Sequence, residues 1–255
     1  MSAPGRLRIV GLGPGSDAWI TPEASHLIAN ATDLVGYAPY LEWLPLRKGQ
    51  TRHQTGNRVE MERARYALRL AEDGRHVALV SGGDPGVFAM AAAVFEAIEE
   101  GEPRWRGIDV AVSPGISAMQ AAAARIGAPL GHDFCAISLS DNRKPWSLVE
   151  KRLAAAATAD FVVALYNPAS TARTGRVHDA FALLRVLKGA STPVVFARAV
   201  GRADEHISVE TLATADPTRA DMSTLIIVGS SETRIIPRGG AAPFVYTPRG
   251  VKVAQ

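Results

Sequence analysis

The 255-residue chain contains 47% hydrophobic and 21% charged residues, a composition typical of a globular protein and not of a disordered or fibrous one. Its net charge of +3 is small, and it has no basic run with interleaved aromatics, so we expect no nucleic-acid partner. Cys135 is the single cysteine, which excludes an intrachain disulfide and favours a reducing compartment. With no signal-like N-terminus and no long apolar run, we expect a cytoplasmic protein without a membrane partner.

The first predicted strand, residues 6–10, ends in the glycine loop Gly11-Leu-Gly-Pro-Gly15. A nicotinamide-binding loop would lead directly into a helix, but here Thr21 is the expected N-cap of the next helix. The acidic residue that should end the second strand is also missing, since Asp33 precedes the strand 34–37. No Gly-Lys-Ser/Thr follows any glycine cluster, so the sequence excludes a P-loop as well.

Residues 38–57 contain three interrupting residues, Pro39, Pro45 and Gly49, and are predicted to be irregular. The segment carries four basic side chains: Arg47, Lys48, Arg52 and His53. Two interpretations remain open, a solvated surface loop and a cationic flap over an anionic ligand. A helix is expected from about 58 to 73, where Gly74 ends it.

The stretch Val77-Ala-Leu-Val-Ser-Gly-Gly-Asp-Pro-Gly86 predicts a buried strand followed by an abrupt turn. Asp84 and Pro85 are expected to cap and begin a helix over 87–100. The glycines allow a ligand to approach the backbone closely at the strand end. An ordinary tight strand-to-helix connection is the alternative.

A second unit of the same kind follows: strand 108–112, loop 113–118 and a helix to about 126. The order βαβαβα predicts a mostly parallel sheet flanked by helices. Residues 127–131 are interpreted as a linker. Beyond them shorter connections predict a mixed α+β sheet, with strands 134–139, 161–166, 193–197 and 205–212, a final strand 224–228, and helices 146–157 and 175–188. The fold class is therefore α/β with two domains, 1–128 and 129–255.

The glycine loops at the strand ends carry no phosphate-binding lysine. Such loops suit a ligand held by backbone groups, and an adenosyl cofactor fits them better than a nucleotide triphosphate. The six histidines are scattered without ligand spacing, and Gly-x-Ser-x-Gly is absent, so neither a metal site nor a serine nucleophile is predicted.

Five motifs occur in the order seen in the tetrapyrrole methylases, which the chain resembles from Ile9 to about Ser231. They are Gly11-Leu-Gly-Pro-Gly15, Ser81-Gly-Gly-Asp-Pro-Gly86, Pro114-Gly-Ile-Ser-Ala118, Leu165-Tyr-Asn-Pro168 and Met222-Ser-Thr-Leu-Ile-Ile-Val-Gly229. Finer features indicate the branch of that family that methylates a precorrin and contracts its ring in cobalamin biosynthesis. These are Val35-Gly-Tyr37, Tyr166-Asn-Pro168, Ile137-Ser-Leu-Ser-Asp141, Pro145-Trp146 and Thr247-Pro-Arg-Gly250. The last two argue against diphthine synthase, which has a related fold and a protein substrate.

The resemblance implies a homodimer with the active site in a trough between two domains, and S-adenosylmethionine as methyl donor, leaving as S-adenosylhomocysteine. The residues that it implies for cofactor binding are Pro14, Gly82, Gly83, Asp84, Val87, Ser117, Ala118, Tyr166, Asn167, Ala199, Thr224 and Leu225.

Ring contraction moves protons and needs an acid or base. Uroporphyrinogen methylases place a catalytic Asp directly after the strand tyrosine, where this chain has Ala38, so Asp17 is nominated instead. Carboxylates of the precorrin are expected to pair with Arg47, Lys48, Arg52, Arg143 and Lys144. Two alternatives stay open: a counterpart enzyme acting on a cobalt-containing substrate, and a non-catalytic protein that binds an adenosyl ligand.

Overall fold

The computed structural model describes residues 5–56, 59–169 and 175–250. The chain divides into two compact units, Met1–Ala118 and Met119–Gln255. The domain boundary at residue 128 stays a prediction from the sequence.

In its described residues the first unit contains a five-stranded sheet and four α-helices. Its elements are β1 (Arg6–Gly11), α1 (Pro22–Ala29), β2 (Asp33–Tyr37), α2 (Ala38–Glu42), β3 (Thr51–Thr55), α3 (Glu60–Glu72), β4 (His76–Ser81), α4 (Met90–Glu100) and β5 (Asp109–Ser113). The strand order is β3-β2-β4-β1-β5, and every neighbouring pair is parallel, which confirms the parallel sheet predicted from the sequence.

Both faces of this sheet are buried, because alternate residues of its strands belong to two separate cores. Leu7, Ile9 and Leu79 are fully buried against α3 and α4. Val10 and Leu34 point the other way, against α1 and α2. Each such side chain contributes about 1.5–3 kcal/mol. Continuous apolar strands of this kind are typical of parallel sheets, and they bring all the carboxyl ends to one edge.

Two expectations for the first unit are wrong. Residues 38–56 are not irregular throughout, since they include α2 and β3, and residue 57 lies outside the described residues. The strand Thr-Arg-His-Gln-Thr lies at the sheet edge and has no apolar residue to predict it. The helix expected from 87 begins at Met90, because Phe88 adopts φ +53° and Ala89 is extended. Asp84 therefore caps no helix. Residue 58, the expected start of the preceding helix, lies outside the described residues.

The second unit contains a mixed sheet and a small additional sheet. Its elements are α5 (Ala118–Ile126), β6 (Gly127–Ala128), β7 (Phe134–Ser138), α6 (Trp146–Thr158), β8 (Val162–Tyr166), α7 (Arg176–Leu187), β9 (Pro193–Arg198), β10 (His206–Thr211), β11 (Thr224–Val228), β12 (Arg234–Arg238) and β13 (Ala241–Tyr246). The main sheet has the order β10-β9-β11-β8-β7; β7 and β8 are parallel and the other pairs antiparallel, as the sequence predicted. Its core is centred on Phe181, which stacks on Phe196 at 5.9 Å.

Residues 127–131 are not a simple linker, and β11 is not the final strand. Gly127 and Ala128 pair with β13 in a three-stranded sheet, β12-β13-β6. The Thr247 hydroxyl donates to the Pro129 carbonyl at 2.6 Å, which holds the segment in place. The hairpin β12–β13 escaped prediction because its residues are mostly exposed and show no apolar alternation.

Candidate functional site

Three loops meet at the carboxyl edge of the first unit's sheet, those following β1, β4 and β5. The Gly13 and Gly83 backbones exchange two hydrogen bonds, of 3.2 and 2.7 Å. The Leu12 amide donates to the Ser81 carbonyl at 2.9 Å. The carboxyl edge of a parallel sheet is where ligands bind in open α/β folds. We call residues 11–15, 81–86 and 114–117 the glycine cradle.

Glycine is required in this cradle because the backbones touch. A Cβ on Gly115 would lie 2.3 Å from the Gly83 carbonyl oxygen, and one on Gly11 would lie 2.7 Å from the Gly115 nitrogen. Gly83 itself has φ +69°, and the nearest atom to its Cβ position is 4.0 Å away. The cradle is thus closed beneath Gly11 and Gly115 and open at Gly83. Sequence reasoning quoted Gly11 and Gly115 within motifs but did not recognise their packing role.

Asp84 ties two loops of the cradle together. One carboxylate oxygen accepts from the Gly86 amide at 2.7 Å and the other from the Gly115 amide at 3.0 Å. Both bonds are charge-assisted, which makes them stronger than bonds between neutral groups. The structure gives Asp84 the role of a loop clamp, and its contact with a cofactor stays a prediction.

An aromatic wall borders the cradle, and sequence reasoning missed it. A Cβ on Gly82 would lie 2.7 Å from Tyr40 Cζ, so the phenol ring covers this backbone. Tyr37 meets Tyr40 edge to face at 5.4 Å, and Tyr40 is 5.2 Å from Trp43. These rings offer an apolar surface beside the glycines. Tyr37 ends β2, Tyr40 lies within α2 and Trp43 follows it. The wall was missed because a loop was expected where α2 forms.

In the second unit the predicted residues gather where β8 and β9 end and β11 begins. The register pairs Thr224 with Arg198 and Ser138 with Tyr166, which brings Tyr166, Asn167, Ala199, Thr224 and Leu225 to one edge of the sheet. We call this the β8–β11 edge. The Asn167 amide donates to Ser138 Oγ at 3.0 Å, and Tyr166 Oη accepts from the Met119 amide at 3.1 Å.

Backbone strain marks the predicted cofactor motifs in both units. The described residues include four non-glycine residues with positive φ, and two of them, Asn167 at +52° and Ala199 at +50°, lie on the β8–β11 edge. Phe88, at +53°, follows Val87. Such conformations cost about 1–3 kcal/mol each and cluster at functional sites.

A carboxylate holds the start of β11. Asp221 accepts from Thr224 Oγ1 at 2.7 Å, from the Ser223 amide at 2.9 Å and from Arg198 Nε at 2.7 Å. Burial alone would raise the pKa of Asp221, but the hydrogen bonds from Thr224 and Arg198 outweigh it and lower the pKa. Asp221 thereby orients the Thr224 hydroxyl. No motif pointed to it, because its partners become neighbours only when β9 and β11 pair.

The remaining predicted cofactor residues are placed as follows. Pro14 and Val87 are half-buried, Ser117 is buried, and Ala118 is the first residue of α5. Asp17, the nominated acid or base, is exposed in a short 3-10 turn, Asp17–Trp19, directly after the cradle's first loop.

The predicted substrate cations differ in their surroundings. Arg47, Lys48 and Arg143 are exposed. Burial lowers the pKa of Lys144, and the positive charge of Arg152 adds to this. Arg52 donates to the carbonyls of Leu41, Leu44 and Pro45, at 2.6 to 2.8 Å, so it has a structural role that needs no ligand. Contact of these five cations with a substrate stays a prediction.

Within residues 5–56, 59–169 and 175–250, no three His, Cys, Asp or Glu side chains are grouped as a metal site. Over those same ranges, no helix has both the length and the apolar character needed to cross a membrane.

The family model of the Tetrapyrrole (Corrin/Porphyrin) Methylases matches residues 6–216, and the chain belongs to this family. It is 56% identical over 245 residues to Precorrin-3B C(17)-methyltransferase of Sinorhizobium sp, covering 96% of each chain. It is 41% identical to the probable cobalt-factor III C(17)-methyltransferase of Salmonella typhimurium, covering 96% of this chain and 98% of that one. Among solved structures, the crystal structure of the methyltransferase CobJ superimposes with a TM-score of 0.91 at 49% identity. The match covers 96% of this chain and 100% of the CobJ chain.

The family implies S-adenosylmethionine, and the residues of the cradle fit it. The open position at Gly83 lets a ligand approach the backbone, and backbone groups can serve an adenosyl ligand that has no phosphate.

Proposed function

We propose that the protein is an S-adenosylmethionine-dependent C-methyltransferase that methylates precorrin-3B at C-17, with ring contraction to precorrin-4, in cobalamin biosynthesis. The observation that carries this proposal is 56% identity to a protein of that name along 96% of both chains. The close packing of Gly11, Gly83 and Gly115 in the cradle supports it.

The cofactor would be held by the predicted set in both units, with Gly82 and Gly83 in the cradle and Thr224 and Leu225 on the β8–β11 edge among them. When bound, S-adenosylmethionine supplies a methyl group on a positively charged sulfur, which leaves as the neutral thioether S-adenosylhomocysteine. The protein's part is to hold the accepting ring carbon in line with that methyl group and to exclude water. No covalent intermediate with a protein side chain is needed for such a displacement.

Asp17 is proposed as the acid or base of the contraction step, because it follows the cradle's first loop and its side chain is exposed. The Asp17→Asn variant should methylate but contract the ring more slowly. Full methylation and contraction by this variant would exclude the role.

Arg47, Lys48, Arg52, Arg143 and Lys144 are proposed to orient the substrate's carboxylates. Replacing Arg47 and Lys48 together with Glu should raise the KM for the tetrapyrrole and leave the affinity for S-adenosylhomocysteine unchanged. An unchanged KM would remove these two residues from the substrate site.

The test of the function itself is mass spectrometry of the tetrapyrrole after incubation with precorrin-3B and S-adenosylmethionine carrying a labelled methyl group. One added labelled methyl and the mass of precorrin-4 are expected. Parallel incubation with the cobalt-containing substrate tests the alternative activity, that of the counterpart enzyme, which the 41% identity to the Salmonella relative supports. Cofactor binding without turnover on either substrate would instead indicate a non-catalytic adenosyl-binding protein.

The protein is further proposed to work as a homodimer in the cytoplasm. Large apolar side chains such as Phe95 on α4, 51% exposed, and Val186 on α7, 82% exposed, support an interface with a second copy. The single cysteine supports a reducing compartment. Light scattering of the purified protein should give twice the 27.0 kDa chain mass, and cell fractionation tests the compartment.

A further inference from the structure

Arg63 on α3 is a buried cation at the carboxyl edge of the first unit's sheet. Only 6% of the residue is exposed to solvent. Its Nε donates to Thr55 Oγ1 at 2.5 Å and its Nη2 to the Gly56 carbonyl at 2.6 Å. Its Nη1 donates to the Met90 Sδ at 3.3 Å. A guanidinium has five N–H donors, and a thioether is a weak acceptor. The Nη1 group is therefore poorly satisfied.

No carboxylate hydrogen bonds to Arg63 within the described part of the chain, where its hydrogen-bond partners are a hydroxyl, a carbonyl and a sulfur. Burial lowers the pKa of Arg63, and the nearby Glu60, Tyr40 and Tyr37 offset only part of that effect. A buried charge without a paired anion destabilises a fold. Where a sequence breaks such a rule, the position is commonly functional.

The position of Arg63 connects it with the glycine cradle. Its partner Thr55 ends β3 and lies in register with Tyr37 at the end of β2. Its partner Met90 begins α4, which follows the loop 81–86. Tyr40, which covers Gly82, is close enough to influence the pKa of Arg63. Arg63 thus borders both the cradle and the aromatic wall.

We propose that Arg63 receives a side-chain carboxylate of the tetrapyrrole, and that this carboxylate takes the place of the Met90 thioether at Nη1. The proposal rests on the proposed function, because it requires a polycarboxylated macrocycle as substrate. A carboxylate accepts charge-assisted, bidentate bonds from the planar guanidinium, which a thioether cannot. The Met90 side chain is unbranched and flexible, so it can adopt another rotamer when a ligand oxygen approaches Nη1. Tyr37 and Tyr40 then provide an apolar surface for the ring.

A purely structural arginine elsewhere in the chain has a different environment. Arg185 of α7 donates Nε to the Leu212 carbonyl at 3.0 Å and Nη2 to the Ala215 carbonyl at 2.6 Å, and it lies over the Phe181 ring. Its bonds join α7 to the segment after β10. Arg185 is therefore a suitable control for loss of arginine hydrogen bonds to the backbone.

The experiment compares wild type, Arg63→Met, Arg63→Lys and Arg185→Met. The measurements are the KM and kcat for precorrin-3B, the Kd of uroporphyrin by fluorescence quenching, the Kd of S-adenosylhomocysteine by calorimetry, and the melting temperature. Uroporphyrin is a stable tetrapyrrole with carboxylate side chains, and its binding does not depend on turnover.

Arg63→Met should raise the KM for precorrin-3B and the Kd of uroporphyrin by about 10- to 100-fold, the loss expected for one charge-assisted contact. The Kd of S-adenosylhomocysteine should change less than about twofold. The melting temperature should fall less than in Arg185→Met, because the loss of the bonds to Thr55 and Gly56 is offset by the removal of a buried charge that has no hydrogen-bonded carboxylate. Arg63→Lys, which keeps the charge without the planar fork, should restore part of the affinity. Arg185→Met should lower the melting temperature and leave both tetrapyrrole constants unchanged.

Unchanged KM and uroporphyrin affinity in Arg63→Met would overturn the proposal, and so would a fall in melting temperature with equal losses of cofactor and tetrapyrrole affinity. If Arg63→Met does not fold, Arg63→Lys decides, since a wild-type tetrapyrrole affinity in it would also overturn the proposal. If wild type transfers no methyl group to precorrin-3B, the proposed function fails, and the uroporphyrin comparison still decides the role of Arg63.

Discussion

The first unit brings its loops together through bare backbone, whereas the second unit organises its edge through side chains. In the cradle, Gly11, Gly83 and Gly115 approach so closely that a Cβ has no room at two of them. On the β8–β11 edge, Asn167 and Ala199 carry side chains in left-handed conformations, and Thr224 is held by Asp221.

The contrast follows from sheet topology. Three parallel strands of the first unit each end in a loop at the same edge of the sheet, so the backbones of the three loops pack directly against one another. In the second unit, β11 runs antiparallel to β8 and β9, so one strand begins where its neighbours end and side chains fill the space between them. We therefore expect Gly11 and Gly115 of the cradle to tolerate no added atom, and we expect substitutions on the β8–β11 edge to have smaller effects on stability.

The largest effect is expected from adding a methyl group inside the cradle. In Gly115→Ala the new Cβ would lie 2.3 Å from the Gly83 carbonyl oxygen, so the two loops must separate. Overpacking of this kind should cost about 3 kcal/mol in the free energy of unfolding, and the affinity for S-adenosylhomocysteine should fall at least about tenfold, equivalent to 1.4 kcal/mol. Denaturant unfolding and calorimetry measure both.

The matched control is Gly107→Ala, where no atom lies within 4 Å of the new Cβ. This variant should keep the stability and cofactor affinity of wild type. Equal behaviour of the two variants would show that the loops of the cradle are free to move apart.

A smaller loss is expected when the clamp between two loops is weakened. Asp84→Asn replaces one accepting oxygen with a donor that faces a backbone N–H, either of Gly86 or of Gly115. An unmade bond of this kind costs about 1–3 kcal/mol, and we expect cofactor affinity to fall about fivefold, or roughly 1 kcal/mol. Calorimetry with S-adenosylhomocysteine checks this. Asp216→Asn is the control, since the Asp216 carboxylate accepts from Thr218 in its own turn and, within the described residues, does not join two loops; a matching loss there would contradict the clamp.

The parallel sheet was predictable because its central strands are continuous apolar runs separated by glycine turns and helices. Strands that lack an apolar pattern could not be predicted from the sequence. β3 has the sequence Thr-Arg-His-Gln-Thr and forms an edge strand that pairs with β2 without contributing an apolar side chain, and β12 is largely exposed. The helix start at Met90 was missed because Asp84 accepts a hydrogen bond from the Gly86 amide as a capping residue would, but this bond forms a turn and not a helix. Phe88 then departs from helical geometry.

The candidate site was predictable where it consists of contiguous motifs and not where it depends on tertiary contact. The glycine loops could be located from their residues, while Asp221 meets Arg198 only across the β9–β11 pair. Arg63 lies on an amphipathic helix among other charged residues, so the sequence pattern predicts that its side chain belongs to the solvent-exposed face. Its burial depends on tertiary contacts with Thr55 of β3 and Met90 of α4, which the local sequence does not predict.

On the β8–β11 edge, Asp221→Asn should lower the melting temperature at pH 7 by about 3 °C, the shift that roughly 1 kcal/mol produces in a chain of this size. The folded-state pKa of Asp221 is lowered, so its contribution is present above the unfolded value of about 3.9 and is lost as the pH falls through the folded value. The difference between variant and wild type should therefore shrink towards pH 3 in thermal melts.

Asp204→Asn separates the Thr224 contact from the Arg198 ion pair, because Asp204 also pairs with Arg198 but does not reach Thr224. We expect the affinity for S-adenosylhomocysteine to fall about threefold in Asp221→Asn, roughly 0.6 kcal/mol, and to stay unchanged in Asp204→Asn. An equal fall in both variants would assign the effect to Arg198.

The smallest effect, and one of opposite sign, is expected at Ala199. Its φ of +50° is in the left-handed region, where an alanine costs about 1–2 kcal/mol, whereas glycine adopts it freely and loses about 0.5–1 kcal/mol in chain entropy. Ala199→Gly should therefore stabilise the protein by about 0.5 kcal/mol, by the difference between those two terms, while Ala197→Gly, at an equally buried position within β9, should destabilise it by about 1 kcal/mol. Denaturant midpoints at equal m-value decide between them. Destabilisation by both variants would mean that the left-handed turn stores no strain, and the β8–β11 edge would then be as relaxed as an ordinary strand end.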